Sequence, residues 1–119
     1  MKRVTTFILL TIFACSARSQ STFQKSYGGA GPLEEIAYSI EETFDGGYIV
    51  AGHTEEFGAL QRDILLIKLD ALGDTVWSKM YGGTSDERAF SVIQTMDSGF
   101  VVAGRVDLSG NYDVLVIKT

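Results

Sequence analysis

One cysteine, one histidine and one tryptophan stand in 119 residues. Each shortage closes off a class of chemistry. A lone cysteine makes no internal disulfide, and Cys15 lies in the N-terminal segment besides. A lone histidine, His53, has no Cys or His partner for a zinc site. Basic residues are outnumbered, with 10 Lys and Arg against 15 Asp and Glu. Such a surface repels phosphate backbones, so nucleic acid is not an expected partner. After residue 20 no segment carries helical periodicity. Gly28-Gly29 and Gly82-Gly83 run into loops and strands, so neither is a phosphate-cradling loop opening a helix. A G-x-S-x-G nucleophile motif is absent as well.

The chain opens with a leader. Lys2 and Arg3 supply positive charge, residues 4–14 are apolar but for threonine, and Ala17-Arg18-Ser19 places small residues at an exit. This layout predicts a secretory signal peptide over residues 1–19, with an apolar part too short to span a bilayer. Ile12-Phe13-Ala14-Cys15 resembles a bacterial lipobox, in which Cys15 would carry an outer-membrane lipid anchor. Phe13 departs from that pattern, so plain cleavage near Ser19 is the expectation. Taking Lys2, Arg3 and Arg18 from the 10 basic residues leaves 7 against 15 acids, a net charge of −8.

The remainder repeats itself. Asp45-Gly-Gly-Tyr-Ile-Val-Ala-Gly52 matches Asp97-Ser-Gly-Phe-Val-Val-Ala-Gly104. Ala37-Tyr-Ser-Ile40 matches Ala89-Phe-Ser-Val92, and Asp63-Ile-Leu-Leu-Ile-Lys68 matches Asp113-Val-Leu-Val-Ile-Lys118. Phe23–Gly29 matches Trp77–Gly83. The slips in spacing fall in Gly-rich and polar segments, so the matched blocks are the structural elements. Short apolar runs bounded by Gly and Asp read as strands. Strands are expected over residues 36–43, 47–54, 63–69 and 75–81, joined by turns at Phe44–Gly47 and Asp70–Asp74. Residues 47–54 and 63–69 are apolar on both faces, so both sides of each sheet are expected to be covered.

Four-stranded antiparallel units of this kind describe β-propeller blades. The string DGGYIVAGHT…DILLIKLDALGDTVWSKMYGG also resembles a propeller-type repeat of secreted and cell-surface proteins of bacteria and archaea. The likeness covers nearly all of residues 23–119. It implies export and carries no catalytic residues. The expected fold is all-β: an incomplete propeller of about two copies in residues 20–119. One blade covers about 36–81, a partial blade about 88–119, and a lone strand 22–27. A closed propeller needs about four blades. The chain is therefore expected to be a piece of a longer one, with further blades as partners. The alternative is strand exchange between copies.

The candidate site residues each have a plainer role. His53 has Arg105 as its counterpart and is expected in a surface loop. In the acid pairs Glu34-Glu35, Glu41-Glu42, Glu55-Glu56 and Asp86-Glu87, neighbours on a strand point to opposite faces, which does not suit paired carboxylate catalysis. Asp107–Asp113 comes nearest to a calcium loop but offers too few oxygens. Asp45/Asp97 and Asp63/Asp113 recur and are expected to cap turns and loops. Lys68 and Lys118 sit in apolar strands and are expected to pair with a recurring aspartate. Trp77 and Phe23 are expected to pack between sheets rather than stack on a sugar. No catalytic, cofactor or metal residue is assigned. The chain reads as a non-catalytic binding or spacer segment of a secreted or surface bacterial protein. The alternative is the N-terminal piece of a polysaccharide-acting or quinone-dependent propeller enzyme with its catalytic residues elsewhere.

Overall fold

A computed structural model describes residues 22–29, 34–55 and 61–119. The expected leader over 1–19 and Cys15 lie outside the described residues. Seven strands form two antiparallel sheets, with no helix among the described residues. The first sheet runs in order β1 (Glu35–Glu42), β2 (Tyr48–Thr54), β3 (Asp63–Leu69) and β4 (Thr75–Tyr81). The second runs β5 (Asp86–Gln94), β6 (Phe100–Leu108) and β7 (Asn111–Lys118).

The two sheets share their irregularities. In β1 the register shifts between Ala37 and Ser39 against Gly52 and Ala51. In β5 it shifts between Ala89 and Ser91 against Gly104 and Ala103. Each bulge pushes backbone toward the neighbouring strand, and the glycine there leaves the room. A Cβ on Gly52 would lie 1.8 Å from the Ile36 carbonyl oxygen, and one on Gly104 2.0 Å from that of Arg88.

Register also sorts the faces. Ile49, Ala51 and His53 stand opposite Lys68, Leu66 and Ile64, so all six share the inner face of the first sheet. The second sheet covers that face with Ala89, Val92, Phe100 and Val102, and one core runs through both. Small residues let the sheets approach, and Ser39 Oγ accepts a hydrogen bond from Val92 N at 3.3 Å. The outer face of the first sheet carries Tyr48, Val50, Leu65 and Ile67.

Two expectations need correction, the lone strand and the coverage of both faces. Residues 22–27, read as a lone strand, are irregular. They lie over a sheet face, where no strand edge offers backbone partners: Phe23 packs edge-on against Tyr48 at 5.8 Å, and the Tyr27 hydroxyl donates to the Gly73 carbonyl at 2.7 Å. The segment Asp107–Asp113, the nearest approach to a calcium loop, forms the tight hairpin between β6 and β7. Ser109 and Gly110 take positive φ of 58° and 88°, and Asp107 accepts from Gly110 N at 2.7 Å. Coverage of both faces also holds for the first sheet only in part. Its inner face is dry, while Val50 and Leu65 on the outer face stay half-buried.

Candidate functional site

Two constellations gather polar groups. The first recurs. Asp45 sits in the β1–β2 turn and accepts from Gly47 N at 2.9 Å, from the Thr43 hydroxyl, and from Lys68 Nζ at 3.1 Å. Asp97 accepts from Gly99 N at 3.1 Å, from the Thr95 hydroxyl, and from Lys118 Nζ at 2.8 Å. Each lysine also donates to the carbonyl of the next residue at 2.8 Å, Leu69 or Thr119. The turn is thereby tied to the end of the third strand of its sheet. These donors hold both carboxyls well below the usual range, Thr43 leading for Asp45 and Lys118 for Asp97. The expected lysine–aspartate pairs are both present. Thr43 and Thr95 were missed, although they recur at the same spacing and could have been read.

The second constellation lies where the sheets meet at their other end. His53 is 1% exposed, and neither ring nitrogen has a hydrogen-bond partner among the described residues. It is buried in the seam and not in the surface loop that was expected. Its ring lies 5.6 Å from that of Tyr38, which in turn meets Phe90 at 5.2 Å. Arg62 binds Glu55 at 2.6 Å, Asp86 at 3.0 Å and Glu34 at 3.7 Å, and Arg88 binds Asp86 at 2.8 Å. The Arg62 carbonyl also accepts from Glu87 N at 2.7 Å, which stitches the sheets together. Burial, then Arg88 and Arg62, pushes the His53 imidazole below its ordinary 6.5. Arg88 and Arg62 hold Asp86 low, while burial pushes Glu87 up. Arg105, the counterpart of His53, is half-buried and lies over the Tyr112 ring at 4.2 Å.

Glu34, Glu55 and Asp86 each lie within ion-pair distance of a guanidinium, whereas Glu87 is buried with one carboxylate oxygen unpartnered among the described residues. No group of three or more His, Cys, Asp or Glu among the described residues could hold a metal ion. Trp77 packs edge-on against Phe100 at 5.9 Å and borders the shared core. A groove of about 270 Å3 lies between residues 26–27 and the outer face of the first sheet, lined by Glu35, Val50, Leu65 and Ile67. Asp63 opens β3 with its carboxylate against Gly82, where a Cβ would come within 2.1 Å of Oδ1. Arg62, Arg88 and Tyr38 escaped the sequence reading because they flank His53 only after folding. Compared with known proteins, the chain matches no family model and no curated protein.

Proposed function

We propose that this chain is an exported, non-catalytic β-propeller-type repeat segment, a binding or spacer module of a secreted or surface bacterial protein. One observation carries the reading: the recurring turn, bulge and aromatic residues do scaffold work. Asp45 and Asp97 fix turns, Gly52 and Gly104 admit bulges, and Phe23 and Trp77 pack on a neighbouring aromatic ring. Residues that differ between the copies are free of that constraint: Arg105, the counterpart of the buried His53, stands opposite Val114 on the open face of the second sheet, over the Tyr112 ring, where a partner would meet it. Further blades are the natural neighbours of such a unit, because each sheet presents apolar side chains on both faces. The leader over 1–19 supports export.

The test is expression of the full chain in a bacterium, with intact-mass analysis of each cell fraction. A folded product outside the cytoplasm, beginning just after Ser19 and bearing no lipid, is the expected result. An uncleaved chain confined to the cytoplasm would remove the reading. Mass added at Cys15 would replace plain cleavage by a lipid anchor.

A further inference from the structure

The second sheet has one face and one edge without a neighbour among the described residues. On the first sheet, Ile49, Ala51, Ile64 and Leu66 of the inner face are fully buried by the second. The sequence matches them with Val101, Ala103, Val114 and Val116. Register again puts these four on one face, with Val101 opposite Lys118, Ala103 opposite Val116 and Arg105 opposite Val114. Here Val114 is 84% and Val116 62% exposed, with Ile93 half exposed on the same face opposite Val101. The same type of surface is dry in one sheet and wet in the other. What differs is whether a sheet lies on it.

The chain carries the complement of this surface. What covers the first sheet's inner face is a sheet face bearing Phe100, Val102 and Ile117. The first sheet bears Tyr48, Val50 and Ile67 at the matching positions of its outer face. The edge has a complement too. β3 pairs with β2 and β4, but β7 pairs with β6 alone. Residues 22–27 match β4 in sequence and have no strand partner among the described residues. Phe23 meets Tyr48 at 5.8 Å and 66°, as Trp77 of β4 meets Phe100 at 5.9 Å and 64°.

We propose that a second copy of this chain docks on the open face of the second sheet, and that its residues 22–27 pair with β7 as a fourth strand. This rests on the module reading above. One placement answers both deficits, because an outer face laid on Val101, Val114 and Val116 brings its own residues 22–27 alongside β7. The contact is head-to-tail, so it closes into a ring or propagates as a filament.

The test is native mass spectrometry and light scattering of the full chain across a dilution series. Discrete species above monomer are expected. Val116→Lys spoils only the open face, and Phe23→Ser spoils only the entering segment. Each variant alone should be monomeric, and a mixture of the two should recover a heterodimer. Val114→Lys repeats the first arm at a still more exposed position, and circular dichroism checks that every variant is folded. Amide exchange along β7 should slow in the wild-type assembly and stay fast in Val116→Lys. A folded wild-type monomer at every concentration, or an assembly that Val116→Lys leaves intact, overturns the pairing while the module reading stands. An unfolded chain removes the module reading itself.

Discussion

Ser98 holds φ at 65°, in the turn position where the first sheet has Gly46 at 78°. The left-handed region costs a residue with a Cβ roughly 1–2 kcal/mol. Ser98→Gly should therefore stabilise the chain by about 1 kcal/mol, less whatever glycine adds to the freedom of the unfolded chain. A urea midpoint that rises with an unchanged slope would show it; an unmoved midpoint would mean the turn carries no strain. The neighbouring glycines have a different job. A Cβ on Gly47 would sit 2.2 Å from the Leu69 carbonyl oxygen and one on Gly99 2.1 Å from that of Thr119, so there it is space and not φ that demands glycine. The lysine that ends each lock separates the two copies. Lys68 has 8% of its side chain exposed and Lys118 45%. Lys68→Met should cost about 1 kcal/mol, because the Leu69 carbonyl loses its donor while Asp45 stays in contact with water. Lys118→Met should cost visibly less, since water replaces its ammonium. Equal losses in paired thermal melts would mean that burial does not set the strength of the lock.

Strands were the most legible level. β3 and β4 lie where alternation and apolar runs placed them, because short β-rich blocks between Gly and Asp leave little choice. Residues 22–27 carry nearly the same letters as β4 and are not a strand, since letters do not say whether an edge is available. The bulges were invisible in the sequence, although the glycines that permit them were plain. Gly52→Ala tests the bulge directly. Its methyl would overlap the Ile36 carbonyl, backbone that cannot rotate away, and the loss should reach about 3 kcal/mol in thermal unfolding. A mild loss would mean that the bulge can flatten. The His53 seam was the least legible, because it draws on β1, β2, β5 and the segment before β3 together. It also makes a pH prediction. With its pKa pushed below 6.5 in the fold, His53 binds fewer protons folded than unfolded. Stability is therefore highest above pH 6.5 and falls as pH drops from there toward the depressed value. Asp45 and Asp97, also held low, act in the same direction but at more acid pH, below their ordinary 3.8. Glu87, pushed up by burial, acts in the opposite direction. Subtracting the urea-unfolding pH profile of His53→Phe from that of wild type isolates the imidazole. The difference should slope just below pH 6.5, and a flat difference would mean that His53 takes up its proton without opening the seam.

At the scale of the whole molecule, the two sheets share one set of dry side chains. Leu66 is fully buried and belongs to the same core as Ala89, Val92, Phe100 and Val102 of the second sheet. The second sheet has three strands and an open outer face, so its buried apolar area comes almost wholly from the first. A three-stranded sheet needs a hydrophobic face to be stable, and here the first sheet is what keeps that face dry. Folding should therefore be one event for both sheets, and damage on one should be felt on the other. Leu66→Ala removes side-chain atoms from the middle of the shared core and should cost about 3 kcal/mol. Amide hydrogen exchange distinguishes a shared loss from a local one. In the variant, β2 and β6 should lose protection together and by the same free energy, because opening the seam exposes both inner faces at once. If β6 keeps its protection while β2 loses it, the second sheet stands without the first, and the interface is a contact between independent units rather than the core of one.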